Sequence, residues 1–352
     1  MSKMKIAIIG CGTIANAAHI PAYLKNDKVE IKWFCDIIPE RADEAVKKYG
    51  CGKAVYDYHE ILDDPELEAV SVCTPNKVHA PITIDFLKAG KNVLCEKPAA
   101  RTYDEALTML EAQHETGKVL NIGVVNRFND SVRRIKKLIE DGELGEVYHV
   151  YVSFRAHRSI PGLGGAFTTK EIAGGGVLID WGVHFLDLVL YILGGAKLQN
   201  VTCDAYCEMA KDMKSYKYGY MWAEDTADME NGTNDVDDFI SGYVRTDKAS
   251  ISFNGAWAQN IDKNEMFIDF LGDKCGARLS YGGKFEITDG SNLETITPEY
   301  DIPNMYLCEN KAFVESVVTG VKNRSHIDNI LESAKLLDTL YASADKKGEV
   351  QL

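Results

Sequence analysis

Three parts of this 352-residue chain have residue types and spacings that could do chemistry. The first is Lys97, which follows the apolar run Lys91-Asn92-Val93-Leu94-Cys95 in the sequence Glu96-Lys97-Pro98. A lysine at the carboxyl end of a buried strand can hydrogen-bond a substrate oxygen and stabilise charge growing on it. Burial there would lower its pKa toward a useful range. A surface turn is the alternative place for it. The second part is Asp180 with His184, four residues apart. On a helix that spacing puts both side chains on one face, about a turn from each other. His184 can take a hydroxyl proton as a hydride leaves the same carbon. Asp180 can bind a hydroxyl or hold the imidazole in place. Apolar neighbours at Val183, Phe185 and Leu186 leave a core histidine as the alternative.

The third part is Gly10-Cys11-Gly12-Thr13-Ile14-Ala15, a G-x-G-x-x-A turn after the aliphatic run Lys5–Ile9. Gly10 permits a tight turn, Gly12 lets a pyrophosphate reach the backbone, and Ala15 lets the helix pack close to the strand. The helix N-terminus offers free N–H groups to phosphates. A second strand, Val29–Cys35, ends at Asp36, which lies 21 residues past Ala15. That is close to the roughly 20 residues expected for a ribose-binding acid. An acid there accepts from both ribose hydroxyls and repels a 2′-phosphate, favouring NAD over NADP. Arg41 keeps NADP open. The strand Ala69–Cys73 ends in Thr74-Pro75-Asn76-Lys77-Val78-His79, and loops after such strands face the cofactor. His19, beyond the phosphate turn, has a packing or capping role.

Elements that place these residues follow from the hydrophobic pattern. Strands near 54–56, 69–73, 91–95 and 119–123 alternate with helices near 41–49, 81–89 and 102–116, which specifies a doubly wound parallel sheet over 1–125. From 126 to 352 the pattern changes to a second, α+β domain. A basic helix, 131–140, precedes a long alternating strand, 145–155. Further strands near 199–207, 236–245, 248–257, 264–271 and 276–288 imply a mostly antiparallel open sheet. Gly162–Thr169 reads as a mobile loop and 177–193 as a helix. The segment 208–235, with Tyr216, Tyr218, Tyr220 and Trp222, is long for a loop and so functional or disordered. Two helices, near 304–318 and 327–344, close the chain.

The net charge is −14, from 39 basic and 53 acidic side chains, and no basic stripe of the kind a nucleic-acid binder carries is visible in the sequence. No signal peptide or bilayer-spanning run is read. Nine cysteines without a C-x-x-C pair suggest reduced thiols and a cytoplasmic protein. Cys203 and Cys207 lack a nearby histidine, so no metal site is expected.

Four stretches together resemble the Gfo/Idh/MocA oxidoreductases over nearly the whole length. They are the glycine turn, Thr74-Pro75-Asn76 with His79, Glu96-Lys97-Pro98, and Gly174-Gly175-Gly176-Val177-Leu178-Ile179-Asp180-Trp181-Gly182-Val183-His184-Phe185-Leu186-Asp187. The resemblance implies an NAD-dependent enzyme with Lys97, Asp180 and His184 as catalytic residues and a cis Lys97–Pro98 peptide. Cofactor contacts are expected from Gly10, Gly12, Thr13, Ile14, Asp36, Thr74, Pro75, Asn76, His79, Glu96, Lys97 and Asn126. Arg127, Arg155, His157 and Arg158, with Asp180 and His184, are expected to meet substrate. A solvated, charged strand end fits Arg155, His157 and Arg158 equally. Asp187 is read as structural. The expected reaction is oxidation of a secondary ring hydroxyl of a sugar, glycoside or cyclic polyol, or its reverse. The alternatives are a glycosidase that recycles NAD through oxidation and elimination, and a dinucleotide sensor. The intact Lys97, Asp180 and His184 argue against the sensor. A homodimer or homotetramer is expected, without nucleic-acid or membrane partners.

Overall fold

In a computed structural model, which describes residues 3–352, the chain forms two compact units. The first comprises residues up to Val125 together with Asn304–Leu331, and the second comprises Asn126–Pro303 and Glu332–Leu352. The first is built on six parallel strands: β1 (Met4–Ile9), β2 (Val29–Cys35), β3 (Lys53–Val55), β4 (Ala69–Val72), β5 (Asn92–Glu96) and β6 (Leu120–Gly123). Their order is β3-β2-β1-β4-β5-β6. The order reverses between β1 and β4, where such sheets bind ligands outside the carboxyl ends of their strands. Helices α1 (Ile20–Leu24), α2 (Pro39–Tyr49), α3 (His79–Lys88) and α4 (Tyr103–Thr116) make the crossovers. Ile6, Ala7 and Ile8 are fully buried, as a strand covered on both faces must be.

The second unit contains α5 (Asp130–Glu140), β7 (Val147–Arg155), α6 (Lys170–Ala173) and α7 (Val183–Leu193). After them come β8 (Leu198–Tyr206), β9 (Phe239–Thr246), β10 (Ser250–Ala256), β11 (Glu265–Gly272), β12 (Cys275–Ser280), β13 (Phe285–Asp289) and β14 (Thr295–Ile296). The nine-stranded sheet runs β14-β13-β12-β11-β7-β10-β9-β8-β15, with β15 at Val350–Gln351. Only β7 and β10 pair in parallel. Alternate residues Val150, Val152 and Phe154 of β7 enter a core with Val132 and Ile135 of α5, and with Leu186, Val189 and Ile192 of α7.

Several elements differ from the sequence expectation. α8 (Met305–Thr319) buries Phe313 and Val314 against Ile6 and Ile8 of the parallel sheet. Grouping it with 126–352 therefore separated it from its own core. α9 (Leu331–Lys346) sends Leu336, Leu337 and Leu340 into the other core. Both helices are amphipathic, and amphipathicity does not say which sheet a helix covers. The stretch 276–288 is a hairpin, reversed at Gly282 and Gly283, whose φ values are +96° and +103°. Gly162–Thr169 packs closely instead of moving freely: Leu163 and Thr168 are fully buried, and Thr168 Oγ1 donates to the Thr233 carbonyl at 2.7 Å. Its partner is the 208–235 segment, which contributes buried Ala210, Tyr216, Met221 and Ala223. Finally, Lys170–Leu193 is long and apolar enough to cross a membrane by length and composition, with 78% of the window buried inside the protein. Burial of this kind is that of a core helix, and α6 ends at Gly174, whose φ is +87°, before the helix bearing Asp180 begins.

Candidate active site

In the first unit the glycine turn is held from behind. The N–H of Gly10 donates to the Cys35 carbonyl at 2.8 Å. Its φ is +89°, and a Cβ there would lie 2.6 Å from the Cys73 carbonyl oxygen, so only glycine fits. A Cβ on Gly12 would meet nothing within 4 Å, which leaves open space over that backbone. Thr13 and Ile14 beside it are half-buried. Asp36 is buried, and each of its oxygens accepts one backbone N–H: Cys11 at 2.8 Å and Ile38 at 2.9 Å. A carboxylate has about four acceptor positions, so two remain for ribose hydroxyls. Thr74 Oγ1, next to Gly10, is shielded from solvent and has no partner among the described residues. Open space at Gly12, spare acceptor capacity at Asp36 and an orphaned hydroxyl at Thr74 fit a dinucleotide. Pro75 is exposed and Asn76 half-buried on the same loop.

His79 was expected to meet the cofactor, but its environment gives it another task. The ring is fully buried, with Nδ1 2.8 Å from the Pro98 carbonyl and Nε2 2.8 Å from the Thr74 carbonyl. Burial lowers its pKa. His79 thus ties the loop after β4 to the Lys97–Pro98 turn, whose peptide is cis. Lys97 is half-buried. Glu96 is buried; its Oε2 accepts the Lys97 N–H at 3.0 Å, and its Oε1 lies 2.6 Å from His19 Nε2. Among described residues no cluster of three or more His, Cys, Asp or Glu side chains could hold a metal, and all nine cysteines are free.

In the second unit the glycine triplet brings a helix start against β9. A Cβ on Gly176 would lie 1.9 Å from the Asp237 carbonyl oxygen, and one on Gly175 would lie 2.0 Å from the Tyr341 hydroxyl. This approach lets the Asp237 carboxylate accept the N–H groups of Gly176 (2.8 Å) and Leu178 (2.9 Å), and the Tyr341 hydroxyl (2.9 Å). These groups cap the helix bearing Asp180 and His184. Leu178–Gly182 is a wide π-helical turn that runs into α7. Between Val177 and Leu190 every side chain is buried except Asp180, Trp181 and His184, which are half-exposed together. His184 is therefore no core histidine. The Asn126 side-chain amide lies 3.1 Å from His184 Nδ1 and orients the ring. Asn126, expected among cofactor contacts, has its amide beside this imidazole.

Arg127 departs furthest from expectation. It is 2% exposed, and its Nε and Nη2 donate to the two oxygens of Asp187 at 2.8 and 2.6 Å. Ser333 Oγ adds a bond to Asp187 at 2.6 Å. The guanidinium lies 4.8 Å from the Tyr191 ring centroid. A bidentate buried pair like this is structural, and Arg127 does not reach solvent to meet a substrate. Asp187 is structural, as its place on α7 suggested. Arg155 pairs with Glu265, His157 Nδ1 lies 3.3 Å from Asp262, and Arg158 bonds Asn260 and covers the Tyr216 ring. The Arg158 carbonyl also accepts the Gly219 N–H at 3.1 Å, so this strand end anchors the 208–235 segment. Asp237, Tyr341 and Ser333 escaped sequence reading: they lie far from the motif residues they serve, and nothing in their local sequence marks them.

Comparison with known proteins adds to this geometry. Residues 4–124 match the family model described as oxidoreductase family, NAD-binding Rossmann fold, and residues 132–278 match that of the GFO/IDH/MocA C-terminal domain. The chain is similar to D-glucoside 3-dehydrogenase of Escherichia coli, with 29% identity over 353 residues, 100% of this chain and 98% of that protein. It is similar to levoglucosan dehydrogenase of Pseudarthrobacter phenanthrenivorans, with 31% identity over 260 residues, 70% of this chain and 65% of that protein. The solved structure of a levoglucosan dehydrogenase in complex with NADH and levoglucosan matches with a TM-score of 0.85 at 21% identity, over 99% of each chain. At that identity the match is one of fold.

Proposed function

From the premise that the chain belongs to the Gfo/Idh/MocA family of NAD(P)-dependent oxidoreductases, we propose that it oxidises a secondary ring hydroxyl of a sugar, glycoside or cyclic polyol to a ketone, or runs the reverse reduction. NAD, when bound, supplies the hydride acceptor. His184 takes the hydroxyl proton in the oxidative direction and returns it in the reverse. Lys97 hydrogen-bonds the reacting oxygen and stabilises charge on it. Asp180 anchors a neighbouring hydroxyl. Asn126 holds the imidazole in orientation through Nδ1. Gly10, Gly12, Thr13 and Ile14 present the phosphate-binding backbone, and Asp36 selects NAD over NADP.

The observation that carries this reading is the shared accessibility of Asp180 and His184, with Trp181, on a stretch whose other side chains from Val177 to Leu190 are buried. Helical residues left half-exposed amid such burial, one of them an oriented imidazole, suit proton transfer. We further propose a homodimer or homotetramer assembled on the open face of the nine-stranded sheet.

The test is anaerobic formation of NADH by the purified protein with inositols, free hexoses and aryl glucosides. One or more of these is expected to give NADH, and His184→Ala is expected to lower kcat by roughly 10²–10⁴-fold. NADH binding should survive in that variant. Release of an aglycone with no net NADH would replace the dehydrogenase by the NAD-recycling glycosidase. An undiminished rate in His184→Ala would remove the imidazole from the reaction.

A further inference from the structure

His19 does more in the structure than fill space. The first residues past the glycine turn form a wide π-helical turn, Ala15–His19, that delivers the imidazole into the first unit's interior. There its Nδ1 lies 2.9 Å from Ser71 Oγ of β4 and its Nε2 lies 2.6 Å from Glu96 Oε1 of β5. Both ring nitrogens are occupied and the ring is fully buried. The second oxygen of Glu96 accepts the main-chain N–H of Lys97. Ser71, His19, Glu96 and the Lys97 backbone therefore form one continuous hydrogen-bonded line across β4 and β5, ending at the lysine.

We propose that His19 is a positioning residue for Lys97, acting through Glu96. The argument rests on the role given to Lys97 above, but the geometry belongs to this unit alone. A Glu96 carboxylate without His19 would be a buried charge short of a donor, and it would swing or take a proton. Either change loosens the carboxylate oxygen that accepts the Lys97 N–H. Other groups around the imidazole do not replace it. The Tyr23 ring centroid of α1 is 6.5 Å from that of His19. Tyr306 of α8 lies 6.0 Å away, and Cys73 closes the β4 side. Glu309 of α8 is fully buried, and neither of its oxygens meets a donor among the described residues. Burial, with the nearby Glu96 charge, pushes its carboxyl well above the usual range, so it stays neutral. His19 meets Glu96 on Oε1, the oxygen other than the one that accepts the Lys97 N–H.

Amide hydrogen exchange read by mass spectrometry tests this directly, on the full chain with NADH present. In His19→Leu, the peptide containing the Lys97 amide should exchange at least tenfold faster, while peptides from β1, β4 and β6 stay within about twofold of wild type. His19→Gln, which still offers Glu96 a donor, should recover most of the protection. Should His19→Leu fail to fold, Glu96→Ala removes the acceptor itself, and the same local tenfold loss is expected. The affinity for NADH, followed by nicotinamide fluorescence, should change less than threefold in His19→Leu. An unchanged Lys97 peptide would overturn the proposal, as would an even loss of protection over the whole parallel sheet. Exchange reads the amide itself, so the outcome holds whether or not the wild-type protein oxidises the sugars offered to it.

Discussion

The contact between His19 and Glu96 is short, at 2.6 Å, and their side chains are 0% and 8% exposed. Burial opposes the imidazolium, but the Cys73 sulfur and the Glu96 carboxylate outweigh it, so the His19 pKa is raised. Glu96 shifts the other way: burial opposes its ionisation, and His19 and Lys97 bring its pKa below the usual carboxylate range. The sign of the pH dependence follows from linkage. Stability contributed by a raised histidine is complete below its unfolded value, about 6.5, and is lost as pH rises through the folded value. Stability contributed by a depressed carboxylate is complete above about 4.3 and is lost as pH falls through its folded value. The pair therefore stabilises most between those limits. The melting-temperature deficit of His19→Gln should be largest near pH 5 to 6 and should shrink toward pH 9, as read by calorimetry across a pH series. A deficit independent of pH would mean that the charge on His19 is not what the site uses.

At the scale of elements, Asp180 and His184 depend on how the helix begins. Asp237 gives two carboxylate oxygens to the N–H groups of Gly176 and Leu178 and to the Tyr341 hydroxyl. Capping bonds of this kind are each worth about 1 kcal/mol. Asp237→Asn keeps one acceptor oxygen of two, so it should cost about 1 kcal/mol in urea unfolding and lower turnover while leaving NADH affinity unchanged. Gly176→Ala should be worse than Asp237→Asn, because its Cβ would collide with the Asp237 carbonyl oxygen. Equal turnover in wild type and Asp237→Asn would show that the helix start tolerates a lost cap. Both π-helical turns in the described residues, Ala15–His19 and Leu178–Gly182, lie in stretches assigned a functional part. Such turns are frequent at functional positions, since the wider turn re-aims the side chains that follow.

At the scale of the whole molecule, the nine-stranded sheet has one face packed by helices and one face open. On the open face His149 meets Tyr151 edge-on, with centroids 4.5 Å apart, and bonds Ser250 and Ser252. Tyr151 is 50% exposed. Phe267 and Asp269 of β11 share a shallow depression there with Ser241 and Ser252. An apolar and polar surface of this breadth on a sheet centre suits a second copy of the chain. Light scattering should give two or four times the 39.0 kDa chain mass, and Tyr151→Glu should shift the population toward monomer. A wild-type monomer at assay concentrations would remove the oligomer from the reading.

The parallel sheet and the glycine turn were legible in the sequence because each depends on local signals, whereas the strand order came only from the structure. Aliphatic runs buried on both faces, a Gly10 that no side chain can replace and an acid 21 residues past Ala15 all act over short stretches. That Asp180 and His184 lie on one continuous helical stretch was legible for the same reason, as helical spacing is a local signal. Tertiary structure decided what each charge meets. Arg127 and Asp187 are 60 residues apart, and Asp237 lies 61 residues from Gly176. No periodicity connects such partners. An arginine in a motif looks the same whether it faces a sugar or a buried carboxylate, and only the packing of α7 against Asn126, Arg127 and Ser333 separates the two. The same holds for α8 and α9, whose apolar stripes fit either sheet until long-range packing assigns them.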